Sequence, residues 1–125
     1  MVDAGDPYPR ECAATTRALR ERLGLDDAHA VATFQSVFGP AQWMTPATID
    51  TVEALARHGV RRVDVVCPGF VSDCLETLEE IAILSRETFH GAGGAQFHHI
   101  PWGNGDPVWT DALTQIVDTH LAGWA

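Results

Sequence analysis

Glycine and proline cut this chain at short intervals, and the pieces between them alternate between helical and strand-like periods. That alternation restricts the fold more than any other feature. Pro9 to Leu23 carries Ala13, Ala14, Ala18, Leu19 and Leu23 near helical spacing, and Gly24 stands where a helix stops. Ala30 to Ser36 is short and partly β-branched, which reads as a buried strand. Phe38 to Thr45, with Gly39, Pro40 and Trp43, reads as a loop. Thr45 then caps a helix with Pro46 at its first position, Ile49, Val52 and Leu55–Ala56 on one face, and Gly59 at its end. Val63 to Cys67 is the clearest strand, broken by Pro68 and Gly69. A long helix follows from about Ser72 to Phe89, then a Gly91–Gly94 turn, a third strand from Phe97 to Trp102, and a closing helix from Asp106 to about Leu121.

Crossovers of this length join parallel strands. The expected architecture is therefore α/β, a three-layer α/β/α sandwich on a parallel sheet, flavodoxin-like in outline. With 125 residues the chain suffices for one domain, 1–125, and can bury a core without a metal or disulfide. It shows no repeat, low-complexity tract or linker. Its apolar runs fall far short of the roughly 20 residues of a membrane span, and no signal-peptide pattern opens it.

Charge removes a further class. Eight basic residues, all arginine, face seventeen acidic ones for a net charge of -9. So acidic a surface repels a phosphate backbone, so no nucleic-acid partner is expected. Three cysteines, Cys12, Cys67 and Cys74, make no disulfide framework, and a cytoplasmic location is the default.

In parallel sheets, ligands bind beyond the carboxyl ends of the strands. Three segments fall there: the loop after Ser36, Pro68–Asp73 and Gly103–Asp106. The second leads into a row of carboxylates. At about 100° per residue, Asp73, Glu76, Glu80 and Glu87 share a narrow sector, while Leu75, Leu78, Ile81 and Ala82 face the sheet. Asp73 and Glu76 also form a capping-box pattern, which accounts for them without any function. The functional alternative is that these carboxylates project into a cleft, accept protons and guide a divalent cation, their pKa values rising on desolvation. His98 and His99 lie in a strand, so their rings point to opposite faces and do not chelate one metal. The six residues between Cys67 and Cys74 suit neither a zinc knuckle nor a redox pair.

Two stretches carry a resemblance. Phe34-Gln-Ser-Val-Phe-Gly-Pro-Ala-Gln-Trp-Met-Thr-Pro46 and Cys67-Pro-Gly-Phe-Val-Ser-Asp-Cys-Leu-Glu-Thr-Leu-Glu-Glu80 resemble the C-terminal half of ferrochelatase, most closely the protoporphyrin enzymes of Gram-negative bacteria. Gly5-Asp-Pro-Tyr8 and Asn104-Gly-Asp-Pro107 fall in that family's order, and the likeness covers essentially the whole chain. It implies a lyase that inserts ferrous iron into protoporphyrin IX to complete haem. By resemblance, Glu76 corresponds to the active-site glutamate that handles porphyrin or metal protons. Asp73 and Glu80 match neighbouring acidic residues, and Trp43 and Phe70 match aromatic residues of the porphyrin cleft. Trp43, Phe70 and Asp73 thus fall at porphyrin-binding positions, Glu76 and Glu80 at metal-handling ones. Cys74 stands where some members have histidine, and Ile83 and Leu84 stand where a carboxylate is often found.

The resemblance also implies what is missing. Ferrochelatases are expected to be about twice this length, with a second α/β half and an essential histidine in a His-Gly-x-Pro-like motif before Gly5. Met1 thus reads as an internal residue of the family, in a truncated gene reading, a shortened version or one half of a split enzyme. The isolated chain is expected to be weak or inactive. Its partners are porphyrin, divalent iron, and an N-terminal half or a second copy. No cofactor beyond the substrate iron is expected, and the three cysteines do not match an iron–sulfur pattern. Peripheral membrane contact stays open, although nothing basic or amphipathic argues for it. Two other classes remain: a short homodimeric chelatase of cobalt or sirohydrochlorin type, and a non-catalytic binding remnant with an exposed apolar patch.

Overall fold

The computed structural model describes residues 5–36 and 43–124. Within them, α1 (Tyr8–Leu23), α2 (Thr48–Arg57), β1 (Arg62–Val66), a π-helix (Glu76–Ser85), α3 (Arg86–Gly91), β2 (Gln96–Ile100) and α4 (Pro107–Leu121) follow in order. The described residues form a mixed α/β fold around a small parallel sheet, with Arg62 opposite Gln96 and Val66 opposite Ile100. The crossover between the strands is the π-helix and α3, as parallel pairing requires.

The core lies under that crossover. Phe89 of α3 is fully buried against Val52 and Ala56 of α2, with Val63, Ala92 and Phe97 packed around them. The rings of Phe89 and Phe97 sit 6.1 Å apart. Gly94 makes this packing possible: a Cβ there would fall 2.1 Å from the Phe89 ring. The other face of the sheet is solvated, where Asp64 takes a two-pronged ion pair from Arg62 and meets His98 at 3.2 Å.

Several expectations change. The strand expected at Ala30–Ser36 reduces to one bridge, Phe34 with Ala47, so the sheet of the described residues has two strands. Its backbone is engaged elsewhere: Arg20 of α1 holds the Ala30 carbonyl, and Ser36 turns at φ 64, out of the extended region. The three-layer sandwich is correspondingly not built by these residues alone, since neither α1 nor α4 buries a residue. The helix expected from Thr45 begins at Thr48, because the Pro46 carbonyl is taken by the Phe34 amide at 2.9 Å, and Ala47, with no side-chain acceptor, takes the cap position. The expected loop Phe38–Thr45 lies outside the described residues up to 42, as does Met1.

The long helix expected at Ser72–Phe89 is two helices of different pitch. A π turn, with its i→i+5 bonds, closes on more than four residues and an α turn on fewer. A four-residue stride therefore stays on one face across the junction, and Thr77, Ile81, Ser85 and Phe89 are all buried. Leu75 and Leu78, expected to face the sheet, are exposed instead, as are Ile83 and Leu84. The Ser85 hydroxyl satisfies itself inside this face by donating to the Glu80 carbonyl, five residues back, at 2.8 Å. Among the described residues no helix is long and apolar enough to cross a membrane.

Candidate functional site

The π-helix also redistributes the acidic row. Glu76 and Glu80 are one four-residue stride apart and lie beside the buried column, whereas Glu87 falls with Glu79 among the exposed positions. Asp73 precedes the helix altogether. The single sector expected for an α-helix thus splits into a Glu76–Glu80 pair and a separate Asp73.

Each part is held by one of the segments expected beyond the strand ends. Ser36 donates to Glu80 Oε2 twice, from its backbone N–H at 2.9 Å and its hydroxyl at 3.2 Å. Gln35 donates its side-chain amide to the Glu76 carbonyl at 3.2 Å and accepts from the Cys67 thiol at 3.5 Å. The end of β1, the start of the π-helix and the segment before residue 37 therefore meet. A cleft of about 220 Å³ opens beside Glu80, lined by Phe34, Gln35, Ile49, Ile81 and Leu84 among others. A larger open cleft of about 490 Å³ lies against α1 and contains none of the expected site residues.

Asp73 belongs to the second junction. Its backbone N–H donates to Asn104 Oδ1 at 2.8 Å, and Asn104 returns its amide N–H to Asp73 Oδ2 at 2.7 Å. The Thr77 hydroxyl donates to Asp73 Oδ1 at 3.0 Å. Asp73 is therefore a cradled carboxylate and not the helix cap expected, since Leu75 takes the cap position with no side-chain cap bond. Around it, Ser72 bridges to Gly103, and the Trp109 indole N–H donates to the Val71 carbonyl at 2.9 Å. Asp106 caps α4 through the backbone amides of Val108 and Trp109. Phe70 lies half-buried in the turn after β1, its amide bonded to the Cys67 carbonyl. Trp43 is 39% exposed, between the residues before 43 and α2.

The electrostatics run opposite to one expectation. Desolvation was expected to raise the carboxylate pKa values, yet two of them are lowered. Hydrogen bonding from Asn104, then Thr77, with the nearby His99, outweighs burial and holds Asp73 below the usual carboxylate range. The Cys74 side chain and Glu76's own amide do the same for Glu76. Both are therefore ionised at neutral pH. Burial, reinforced by Asp73 and Cys74, pushes the Cys67 thiol up to about 11.

Among the described residues no group of three His, Cys, Asp or Glu side chains is placed to hold a metal ion. Glu76 and Glu80 thus offer two hard oxygen donors on one helix rather than a closed site. As expected, His98 and His99 point to opposite faces, His98 into solvent and His99 toward Asp73. Gln35, Ser36 and Thr77 were missed as site residues. Their only signal was position: two end the expected first strand, and the third sits between Asp73 and Glu80.

Comparisons with known proteins identify the family. A family model described as ferrochelatase matches residues 1–121. The chain is similar to ferrochelatase from Bordetella pertussis, 54% identical over 123 residues that make up 98% of this chain and 34% of the relative. It is likewise 54% identical over 123 residues to ferrochelatase from an Azoarcus species. Ferrochelatase from Neisseria meningitidis is 49% identical over 122 residues, 98% of this chain and 36% of that protein. The chain thus spans about a third of the length of the curated relatives it matches, not the half expected. Matched by the family model over nearly its full extent, the chain belongs to the ferrochelatase family.

Proposed function

We propose that this chain carries the acidic side of a metal-insertion site, in a protein that places ferrous iron in protoporphyrin IX. The observation that carries this reading is the π-helix that presents Glu76 and Glu80, one four-residue stride apart, where residues 35–36 and the end of β1 converge. Insertion of a divalent cation releases both pyrrole protons of the porphyrin while the cation sheds water. An acceptor for those protons and oxygen donors for the cation are therefore needed together. Glu76, ionised and with a lowered pKa, takes a proton and passes it on readily rather than storing it. Glu80, anchored by Ser36, supplies a fixed carboxylate on the cation's path. Trp43 and Phe70 offer aromatic surface to the macrocycle, and Asp73 a charged edge.

In this reading the parallel pair is part of a larger α/β/α sandwich in a cytoplasmic enzyme. The exposed Leu75, Leu78, Ile83 and Leu84 meet the remainder of such a protein or a second copy. The protein needs no cofactor beyond its iron substrate, and the anaerobically purified chain is expected to be colourless in the visible.

The test is anaerobic insertion of zinc or ferrous iron into protoporphyrin, followed by absorbance and fluorescence, with Glu76→Gln beside the unaltered chain. Slow insertion, about 10²-fold slower still in the variant, is expected for a lost proton acceptor. Equal rates remove Glu76 from the chemistry. No insertion by either shows that this chain alone is not sufficient.

A further inference from the structure

One ring next to the site has a buried nitrogen without a hydrogen bond. His98 meets Asp64 in solvent, but the His99 side chain is only 10% exposed, and its Nε2 is buried without a hydrogen bond. The nearest charge is Asp73 Oδ1 at 3.7 Å, on a carboxylate that is itself 12% exposed. An unsatisfied buried nitrogen is costly, so a hydrogen bond made to this ring would be stabilising.

The chemistry of the cradle limits what that reason is. Asp73 already receives the Asn104 amide and the Thr77 hydroxyl, and the Trp102 backbone amide also faces it. Everything around the carboxylate donates, because an ionised carboxylate only accepts. A lone pair on Nε2 would point at the lone pairs of Oδ1 and repel them. Only Nε2–H suits this position, and about 0.5 Å of ring approach brings it within hydrogen-bond reach.

We infer that His99 is a positioning residue: as the Nε2–H tautomer it closes the β2 side of the Asp73 cradle and fixes that carboxylate between the strand end and the π-helix. The pairing stands on the geometry alone; its bearing on metal insertion rests on the function proposed above. The arrangement ties the carboxyl end of β2 to the start of the acidic helix, so the sheet sets where Asp73 sits.

Nitrogen-15 correlation of the histidine rings tests this at about pH 8.5, where an ordinary imidazole is neutral. The expected result is a His99 ring protonated at Nε2 whose shifts move in Asp73→Asn, while His98 stays put and moves instead in Asp64→Asn. A ring protonated at Nδ1, or one indifferent to Asp73→Asn, overturns the inference. Side-chain replacement provides the second arm. His99→Gln puts an amide N–H near the position of Nε2, His99→Asn puts one near Nδ1, and His99→Leu removes the donor. The Asp73 amide and Asn104 side-chain signals are expected to stay near their original positions only in the Gln variant. Zinc insertion is expected to keep its kcat within about threefold in that variant and to fall about tenfold or more in the other two, with KM for zinc little changed. Equal losses in all three mark His99 as packing alone. If the unaltered chain inserts no zinc, it is not sufficient alone, and the ring spectra still decide the pairing.

Discussion

Replacing Gly103 by alanine tests how the Asp73 junction is held. Gly103 has φ 49, and a Cβ there would stand 2.4 Å from both Cδ1 and Nε1 of Trp109. Two costs follow. A left-handed backbone with a Cβ costs roughly 1–2 kcal/mol whatever its surroundings. The indole must also move, which breaks its bond to the Val71 carbonyl, worth about 1 kcal/mol. It further disturbs the ring contact with Trp102, whose centroid is 5.6 Å away, worth about 0.5–1.5 kcal/mol. Gly103→Ala should therefore destabilise the chain by about 2.5–4.5 kcal/mol. Urea unfolding followed by far-ultraviolet circular dichroism measures this without relying on the tryptophans. The same substitution in a Trp109→Ala background has no ring to displace, and its cost should shrink to the backbone part, about 1–2 kcal/mol. Costs equal in the two backgrounds within about 0.5 kcal/mol would refute the idea that Trp109 and Gly103 brace this loop together.

Other consequences follow from the same geometry. Asp73 has a lowered pKa when folded, so its contribution to stability is present above its unfolded value of about 3.9 and is lost as pH falls through the folded one. Asp73→Asn should therefore unfold at lower urea than the unaltered chain at pH 7, and the gap should narrow in acid; a gap that does not change with pH contradicts the cradle. Glu80→Leu removes the acceptor for both Ser36 donors, and amide hydrogen exchange at Ser36 should quicken as the segment before residue 37 loosens by about 1–3 kcal/mol. Unchanged protection there would show that Ser36 is held by something else. Cys67, with its thiol pushed up to about 11 and its side chain buried, should resist iodoacetamide in the folded chain while the half-buried Cys12 and Cys74 react. Alkylation of all three at one rate would contradict that.

Much of this was legible in the order of residues. Periodicity located all the helices and both strands of the sheet to within a few residues, because Val63–Cys67 and Phe97–Trp102 alternate with segments whose apolar spacing has no strand reading. Proline and glycine supplied the breaks, and Asp106-Pro107 gave the start of α4 because an acceptor before a proline is a local capping signal. The resemblance identified the family. The strand expected at Ala30–Ser36 failed for the opposite reason: its composition suits a strand, but a strand needs a neighbour, and its partners are Arg20, Ala47 and Glu80 instead.

Helical pitch was beyond reach as well. Nothing in Glu76–Ser85 announces i→i+5 bonding, so a 100° wheel grouped Asp73 with Glu87 and turned Leu75 and Leu78 inward. The pairings that make the site join residues far apart in the chain: Ser36 with Glu80, Asp73 with Asn104, His99 with Asp73. Local preference, capping and alternation depend on neighbours a few positions away, and the sequence by itself settles them. Which carboxylate is cradled, which is exposed and which pKa falls depend on groups brought together from different elements, and only the tertiary structure decides those.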